Sequence, residues 1–562
     1  MNRRLAGTVD SLLGQEKGTV RKDHEGRIRV CLAYPNSYGV GMSNLGFLGI
    51  YGLLNRRDDV VCERVFLPAD KDLPEYGRTK TPLFSYETKT PLERFDIIAF
   101  SLSFENDYPN VLTMLDLARV PLTPEERTPY HPLVIGGGIC VTANPEPVAP
   151  LFDLIFIGEA DESLDEFLDV FADARRAPPR GQGDPGRDRA SLKQWAATMP
   201  GLYVPELYNV TYREDGTIVR VTSREGAQER IRRRYLKDLS ASPIRGAVTT
   251  PESEFSNMHL VEVMRGCPWK CRFCLVGHLC APVRKKDVEA VKREIGTAQQ
   301  TGRKIGLIGP SLTDYPHTEE VLCIQDVDFS ITSLRSSRQS AVLLEFLKSK
   351  KSVSIAPEAG TERMRRIIRK RIGEADIIET AALILGMGLE NLRLYFMVGL
   401  PWENDDDVKG IVDLVRKVRG TSGRGTVTIS VSTFVPKPFT PFQWHPMDQQ
   451  DNLKRKLRII TKGLKDVRNV RVFHDVPKYA RMQGLFSLGD RRVFKILSAM
   501  GREGDWMKAC RTAKVDPDFY ISRQREYEEV LPWEFIDAGV GKEELWREYE
   551  EAGKCASLSE LV

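Results

Sequence analysis

Nowhere in its 562 residues does this chain run apolar for the 18 or so positions that a membrane-spanning helix needs, so no span is expected. An excess of charge of one sign is missing too. Against 78 acidic side chains stand 82 basic ones, and the formal net charge of +4 is too small for bulk electrostatics to argue for nucleic acid. Cysteine is sparse, ten residues mostly far apart, which speaks against a disulfide framework and for a reducing cytoplasm. The opening MNRRLAGTVDSLLGQEKGTV carries two arginines but no long apolar core, so no export signal is expected.

What is present reads as a globular protein with room for three or more domains: 41% hydrophobic and 28% charged residues. The most informative stretch is VEVMRGCPWKCRFCLVGHLC, where Cys267, Cys271 and Cys274 form a CxxxCxxC triplet just after an apolar, strand-like run. Three thiolates on one short loop can hold three irons of a [4Fe-4S] cluster and leave the fourth iron open. The competing reading is a zinc knuckle, with Cys280 or His278 completing a closed four-ligand shell.

After the triplet the chain alternates strand-like and helical segments, as a parallel barrel requires. Six strands are expected, at 259–264, 304–309, 328–333, 352–357, 391–398 and 426–434. Segments such as DVEAVKREIGTAQQ, SAVLLEFLKSK, ADIIETAALILG and DDVKGIVDLVRKV repeat apolar residues at three and four between them. In parallel barrels chemistry gathers at the carboxyl ends of the strands, which is where the cysteine loop falls.

The triplet, with Phe273 directly before its last cysteine, resembles the signature of radical S-adenosylmethionine (SAM) enzymes. The phrases IGLIGPSLTDYP, SIAPEAGTERMRRII, LYFMVGLPWE and STFVPKPFTPFQWHPM extend the resemblance over nearly the whole chain, to a poorly characterised radical SAM family with an N-terminal B12-binding-like domain. It implies a partial (β/α)6 barrel, a [4Fe-4S] cluster on Cys267, Cys271 and Cys274, SAM on the open iron, and a flavodoxin or ferredoxin as electron donor. It also implies SAM contacts at Phe273, at Gly309 and Pro310 after the second strand, and at Ser333 and Arg335 after the third. Glu358 after the fourth strand and Gly399 after the fifth complete that set. Asp314 stands in for an absent acidic residue of the second turn or caps it, and Thr361 reads as a helix cap. Related RNA methylthiotransferases carry a second cluster on three N-terminal cysteines. Cys31, Cys62 and Cys140 are too far apart to copy it and read as small buried apolar residues.

Residues 26–175 show five apolar runs, at 29–34, 60–68, 95–103, 132–138 and 152–158, the pattern of a doubly wound, Rossmann-like sheet. Gly136-Gly137-Gly138, Thr142, Asn144-Pro145-Glu146-Pro147 and Gly158-Glu159-Ala160-Asp161-Glu162 resemble a cobalamin-binding domain, whose glycines would let backbone approach a flat ring. The DxHxxG loop that supplies a cobalt ligand is replaced by YPNSYGVGMSNLG, without histidine; His24 and His131 lack the motif. Either the domain keeps the fold and has lost the cofactor, or cobalamin binds without a protein ligand to cobalt, which would make cobalamin-dependent methyl transfer the leading reaction.

The expected organisation is an arm (1–25), the Rossmann-like domain (26–175), a linker and β-hairpin bridge (176–250), the radical SAM core (251–484) and a helical C-terminal extension (485–562) that caps the barrel or serves a partner. Within the linker, 175–191 is rich in Pro, Gly and charge. The prolines of VPKPFTPFQW end the sixth strand in a loop by the barrel mouth, leaving Trp444 and His445 as substrate-facing or packing groups. Basic clusters at 232–234 and 363–371 read as solvated faces, with contact to phosphate or an acidic partner as the alternative; RNA as substrate stays open.

Overall fold

The dense apolar runs of the first half become β1 (Ile28–Tyr34), β2 (Val60–Phe66), β3 (Ile97–Ser101), β4 (Leu133–Gly137) and β5 (Leu154–Phe156), all parallel, followed by an antiparallel β6 (Leu202–Tyr203). Their order, β2-β1-β3-β4-β5-β6, is that of a doubly wound sheet whose direction of growth reverses between β1 and β3. Every residue of β2 is buried, because both faces of the sheet are covered. Helix Leu45–Arg56 starts where the Asn44 side chain accepts the Phe47 N–H. The expected hairpin forms as β7 (Tyr208–Tyr212) and β8 (Ile218–Ser223) around the Glu214–Gly216 turn.

The computed structural model describes residues 2–176, 189–224, 226–255, 258–300, 304–331, 333–336, 343 and 352–558. Most of the Pro- and Gly-rich stretch 175–191 (177–188) and most of the helix expected at SAVLLEFLKSK lie outside them. The chain divides into two units: Met1–Leu260 with Gly489–Asp516 and Glu529–Gly539, and Val261–Leu488 with Pro517–Glu528 and Val540–Val562. The segment expected as an extension, 485–562, is divided between the two units. β9 (Ile231–Arg232) pairs in parallel with Ile536–Asp537, and Phe494–Glu503 packs against Tyr108–Leu117, so much of that segment is built into the first unit. The hairpin belongs to the first unit as well.

The second unit starts with β10 (His259–Glu262) and the antiparallel pair β11 (Met264–Arg265) and β12 (Arg284–Lys285). It continues through β13 (Ile305–Ile308), β14 (Phe329–Ser330), β15 (Ser333–Leu334), β16 (Ser352–Glu358), β17 (Asn391–Val398), β18 (Thr426–Thr433) and β19 (Val470–His474). The third expected strand is shared between two sheets: β14 pairs with β13, and β15 with β16. From β15 to β19 all pairings are parallel. β19 is a seventh barrel strand beyond the six expected. Its sequence VRVFH is short and alternates apolar with polar residues, a weak signal following the Gln450–Leu464 helix. The core lies between the sheet and the helices, where Ile377, Ala381, Val408, Ile411, Leu453 and Ile460 meet Leu392, Leu394, Val427 and Ile429.

Candidate functional site

The chain leaves β11 through Gly266, whose φ of +77° suits glycine and whose missing Cβ would sit 2.8 Å from the Cys280 carbonyl oxygen. The β11–β12 pair clips the base of the loop, and Lys270 turns it with a φ of +45°. The Cys274 N–H donates to the Cys271 carbonyl (3.0 Å), and Cys274 opens the helical turn Leu275–His278. Backbone N–H groups of Val276 and Gly277 reach the Cys274 sulfur, and that of Trp269 reaches Cys267. Such N–H groups stabilise a thiolate and tune a cluster bound to it.

Burial raises all three thiols above their usual range, Cys271 to about 11, against the pull of nearby cations. Lys370 and Arg335 are those cations, each acting on Cys267 and Cys271. A bound metal centre is what would remove the protons. Among the described residues no three His, Cys, Asp or Glu side chains are gathered as ligands of one ion. His278 is buried, its ring Nε2 lies 3.2 Å from the Cys271 carbonyl, and burial lowers its pKa to about 4.

Two of the expected SAM contacts meet the cysteines. The Arg335 guanidinium lies 3.5 Å over the Trp269 ring and donates to the Arg371 carbonyl at 2.8 Å. Glu358 sits at a bulge in the β16–β17 pairing with a φ of +67°, pairs with Lys370 at 3.0 Å, and acts electrostatically on Cys271 and Cys274. A non-glycine residue in that conformation costs about 1–3 kcal/mol, a strain that clusters at functional sites. Asp314 ties the turn after β13 to the loop by accepting from Trp269 Nε1 (2.6 Å) and Ser311 Oγ (2.5 Å).

The other candidates are placed differently. Gly309 allows close packing, since a Cβ there would lie 2.8 Å from the Met264 side chain; Pro310 is exposed and Phe273 half-buried. Ser333 pairs through its backbone with Ser354, and its side chain lies outside the described residues. The Gly399 N–H already donates to Glu403 Oε2 (2.7 Å), and Lys456 bridges Glu403 and Asp448, each at 2.8 Å. Burial pushes Glu403 up to about 7 against the pull of Lys456. Trp269, Lys370 and Glu403 are the residues that sequence reasoning missed. The four-residue step from Gly399 to Glu403 in GLPWE was the available signal for the last of these.

Helix Lys542–Leu558 braces this loop: Glu544 pairs with Lys270 (3.1 Å), and Glu548 with Arg272 (3.1 Å) and Arg369 (2.7 Å). His445 Nδ1 lies 2.9 Å from the Tyr549 hydroxyl, and the fully buried Trp444 packs edge-on against Trp546. Both are packing groups. Members of the basic clusters are engaged within the chain: Arg234 with Glu166, Arg363 with Asp407, Arg365 with the Ala359 and Ile372 carbonyls. Thr361 caps its helix as expected.

The first unit gives a different result. Between β1 and β3, where such sheets bind ligands, Asn36 bonds Asp107 (2.8 Å) and Asn44 bonds Ser103 (3.1 Å). A Cβ on Gly138 would lie 2.5 Å from the Leu102 carbonyl oxygen, and one on Gly158 only 2.1 Å from that of Arg234. Thr142 receives the Gly158 N–H, Asn144 donates to the Gly489 carbonyl, Glu146 binds Tyr203 and Arg491, Glu159 accepts from Leu236, and Asp161 from Ser242. His24 is paired with Glu63. Most of the residues that resembled a cobalamin site bond or pack against the protein's own segments. Cys31, Cys62 and Cys140 are buried, as expected.

Residues 46–205 match the family model of radical SAM proteins, N-terminal, and residues 261–415 that of the radical SAM superfamily. The chain is a radical SAM protein. This radical SAM protein is 29% identical over 520 residues to an uncharacterized protein of Methanocaldococcus jannaschii, covering 91% of its own length and 98% of the relative's. To the tRNA-2-methylthio-N(6)-dimethylallyladenosine synthase of Sorangium cellulosum it is 24% identical over 226 residues, 34% of its own length and 44% of the synthase. Among solved structures it is similar to OxsB, described as a cobalamin-dependent S-adenosylmethionine radical enzyme with aqua-cobalamin bound, at 13% identity and a TM-score of 0.40. That match covers 69% of this radical SAM protein and 52% of OxsB, so it spans about half the length of that structure.

Proposed function

We propose that this radical SAM enzyme holds a [4Fe-4S] cluster on Cys267, Cys271 and Cys274 and binds SAM beside it. The observation that carries the reading is the thiol triplet at the carboxyl end of the first barrel strand, with N–H groups directed at Cys267 and Cys274 and with Arg335 and Lys370 alongside. When bound, such a cluster passes one electron, from a donor such as flavodoxin or ferredoxin, to SAM, giving a 5'-deoxyadenosyl radical that takes hydrogen from a substrate.

The chain's own residues bind and orient. Arg335, fixed flat on Trp269, offers a two-pronged donor to the SAM carboxylate. Glu358, held by Lys370, would accept from the ribose hydroxyls. By the family resemblance the Gly309-Pro310 turn would receive the amino group and the Gly399 turn, fixed by Glu403, would lie against adenine. Cobalamin-dependent methyl transfer is not favoured by the first unit's glycines, since Gly138 and Gly158 face the chain's own backbone.

The test is anaerobic reconstitution with iron and sulfide followed by SAM and a reductant. About four irons per chain and formation of 5'-deoxyadenosine are expected, and Cys271→Ala should abolish both. SAM cleavage retained by Cys271→Ala, or zinc bound in place of iron, would sink the reading.

A further inference from the structure

The last three barrel strands alternate strictly. Leu392, Leu394, Phe396 and Val398 of β17 and Val427, Ile429 and Val431 of β18 belong to the core packed against the helices. The residues between them point to the other face of the sheet. In a closed parallel barrel that interior is filled by branched aliphatic side chains. Here the register sets Arg393, Thr428 and Arg471 in one row and Tyr395, Ser430 and Phe473 in the next.

The ends of these rows stay open: Tyr395 is 37% and Phe473 60% exposed, and both arginines are exposed, while Thr428 between the arginines is buried. Neither arginine has an ion-pair or hydrogen-bond partner for its side chain among the described residues, and none of the three strands contains an acidic residue. Tyr395 also lies one residue before Phe396, which pairs with Glu358, so the aromatic row sits just beneath the level of the candidate SAM contacts.

Two aromatics separated by one strand stand about 10 Å apart at their Cα atoms, with a hydroxyl between, a spacing that lets a planar ring lie against them. The two guanidiniums, also two strands apart, match two separate anionic groups flanking that ring. A nucleotide within a strand has a phosphate on either side of its ribose, whereas a free mononucleotide brings one. We infer that this face binds a nucleotide of single-stranded RNA, its base stacked on Tyr395 and Phe473 and its flanking phosphates paired with Arg393 and Arg471. Only the chemistry done on that nucleotide rests on the radical SAM reading.

The experiment is fluorescence anisotropy of a labelled, mixed-sequence single-stranded RNA with the full chain, its cluster reconstituted anaerobically. Binding should weaken about fivefold to a hundredfold in Phe473→Ala and Tyr395→Ala, and return towards wild type in Phe473→Tyr. Arg393→Gln and Arg471→Gln should each flatten the salt dependence by about 0.7 in the log–log slope. Absence of RNA binding by the wild type, unchanged binding in both alanine variants, or equal affinity for a free mononucleotide would overturn the inference. Wild-type protein that forms 5'-deoxyadenosine but binds no RNA overturns this inference alone; protein that binds RNA in this pattern but never cleaves SAM overturns the catalytic reading and supports the surface.

Discussion

Two parallel sheets with helical crossovers make up this chain, and they treat their carboxyl edges in opposite ways. In the first unit several residues of that edge are engaged by the protein itself: Gly158 lies against the backbone of Arg234, Asn144 bonds Gly489, and Asn36 bonds Asp107 in the β1–β3 crevice. In the second, the edge presents three thiols, a stacked guanidinium and a strained glutamate. One fold principle places ligand sites at both edges, and the side chains decide which edge becomes one.

The sharpest way to break the comparison is Gly158→Ala. Its φ of +116° and the Arg234 backbone 2.1 Å away leave no room, so a loss of roughly 2–5 kcal/mol is expected in denaturant unfolding. The same change at Gly309, where the obstacle is the flexible Met264 side chain, should cost about 1 kcal/mol or less. Equal costs at the two positions would mean that backbone does not fill the space beside Gly158. A smaller effect is expected of Glu548→Gln, which removes the partner of Arg272 and Arg369. Stability should fall by less than about 1 kcal/mol, but iron should leave the reconstituted protein for a chelator severalfold faster; an unchanged rate would show that the brace does not guard the loop.

The comparison can also be sharpened by a pH slope. Burial raises the Asp107 carboxyl from 3.8 to about 6, against the bond from Asn36. Such a carboxyl holds its proton more tightly folded than unfolded, so its contribution is complete below the unfolded value and is lost as pH rises from about 4 to about 6. Asp107→Asn keeps an acceptor for Asn36 and should flatten the thermal midpoint over that window. An identical slope in the variant would place Asp107 in contact with solvent.

Much of this was legible beforehand. Five runs of the first unit and six of the second became strands because apolar density and alternation are local signals. The triplet and Glu358 were legible because spacing and strand ends are local as well. The partners were not: Lys370, twelve residues after Glu358, and Glu544, hundreds of residues after Lys270, join the site only through the fold. What the glycines of the GGG and GEADE segments face was not legible for the same reason. Glycine records that something approaches closely, and here the approaching group is the chain's own backbone.

The brace on the cysteine loop carries a consequence for how the protein is made. Lys270 and Glu544 are 274 residues apart. At synthesis rates of about 5–20 residues per second, roughly 14–55 s pass between them. During that interval the loop has emerged and its clasp has not, so the pairs that hold Lys270, Arg272 and Arg369 form only near the end of synthesis.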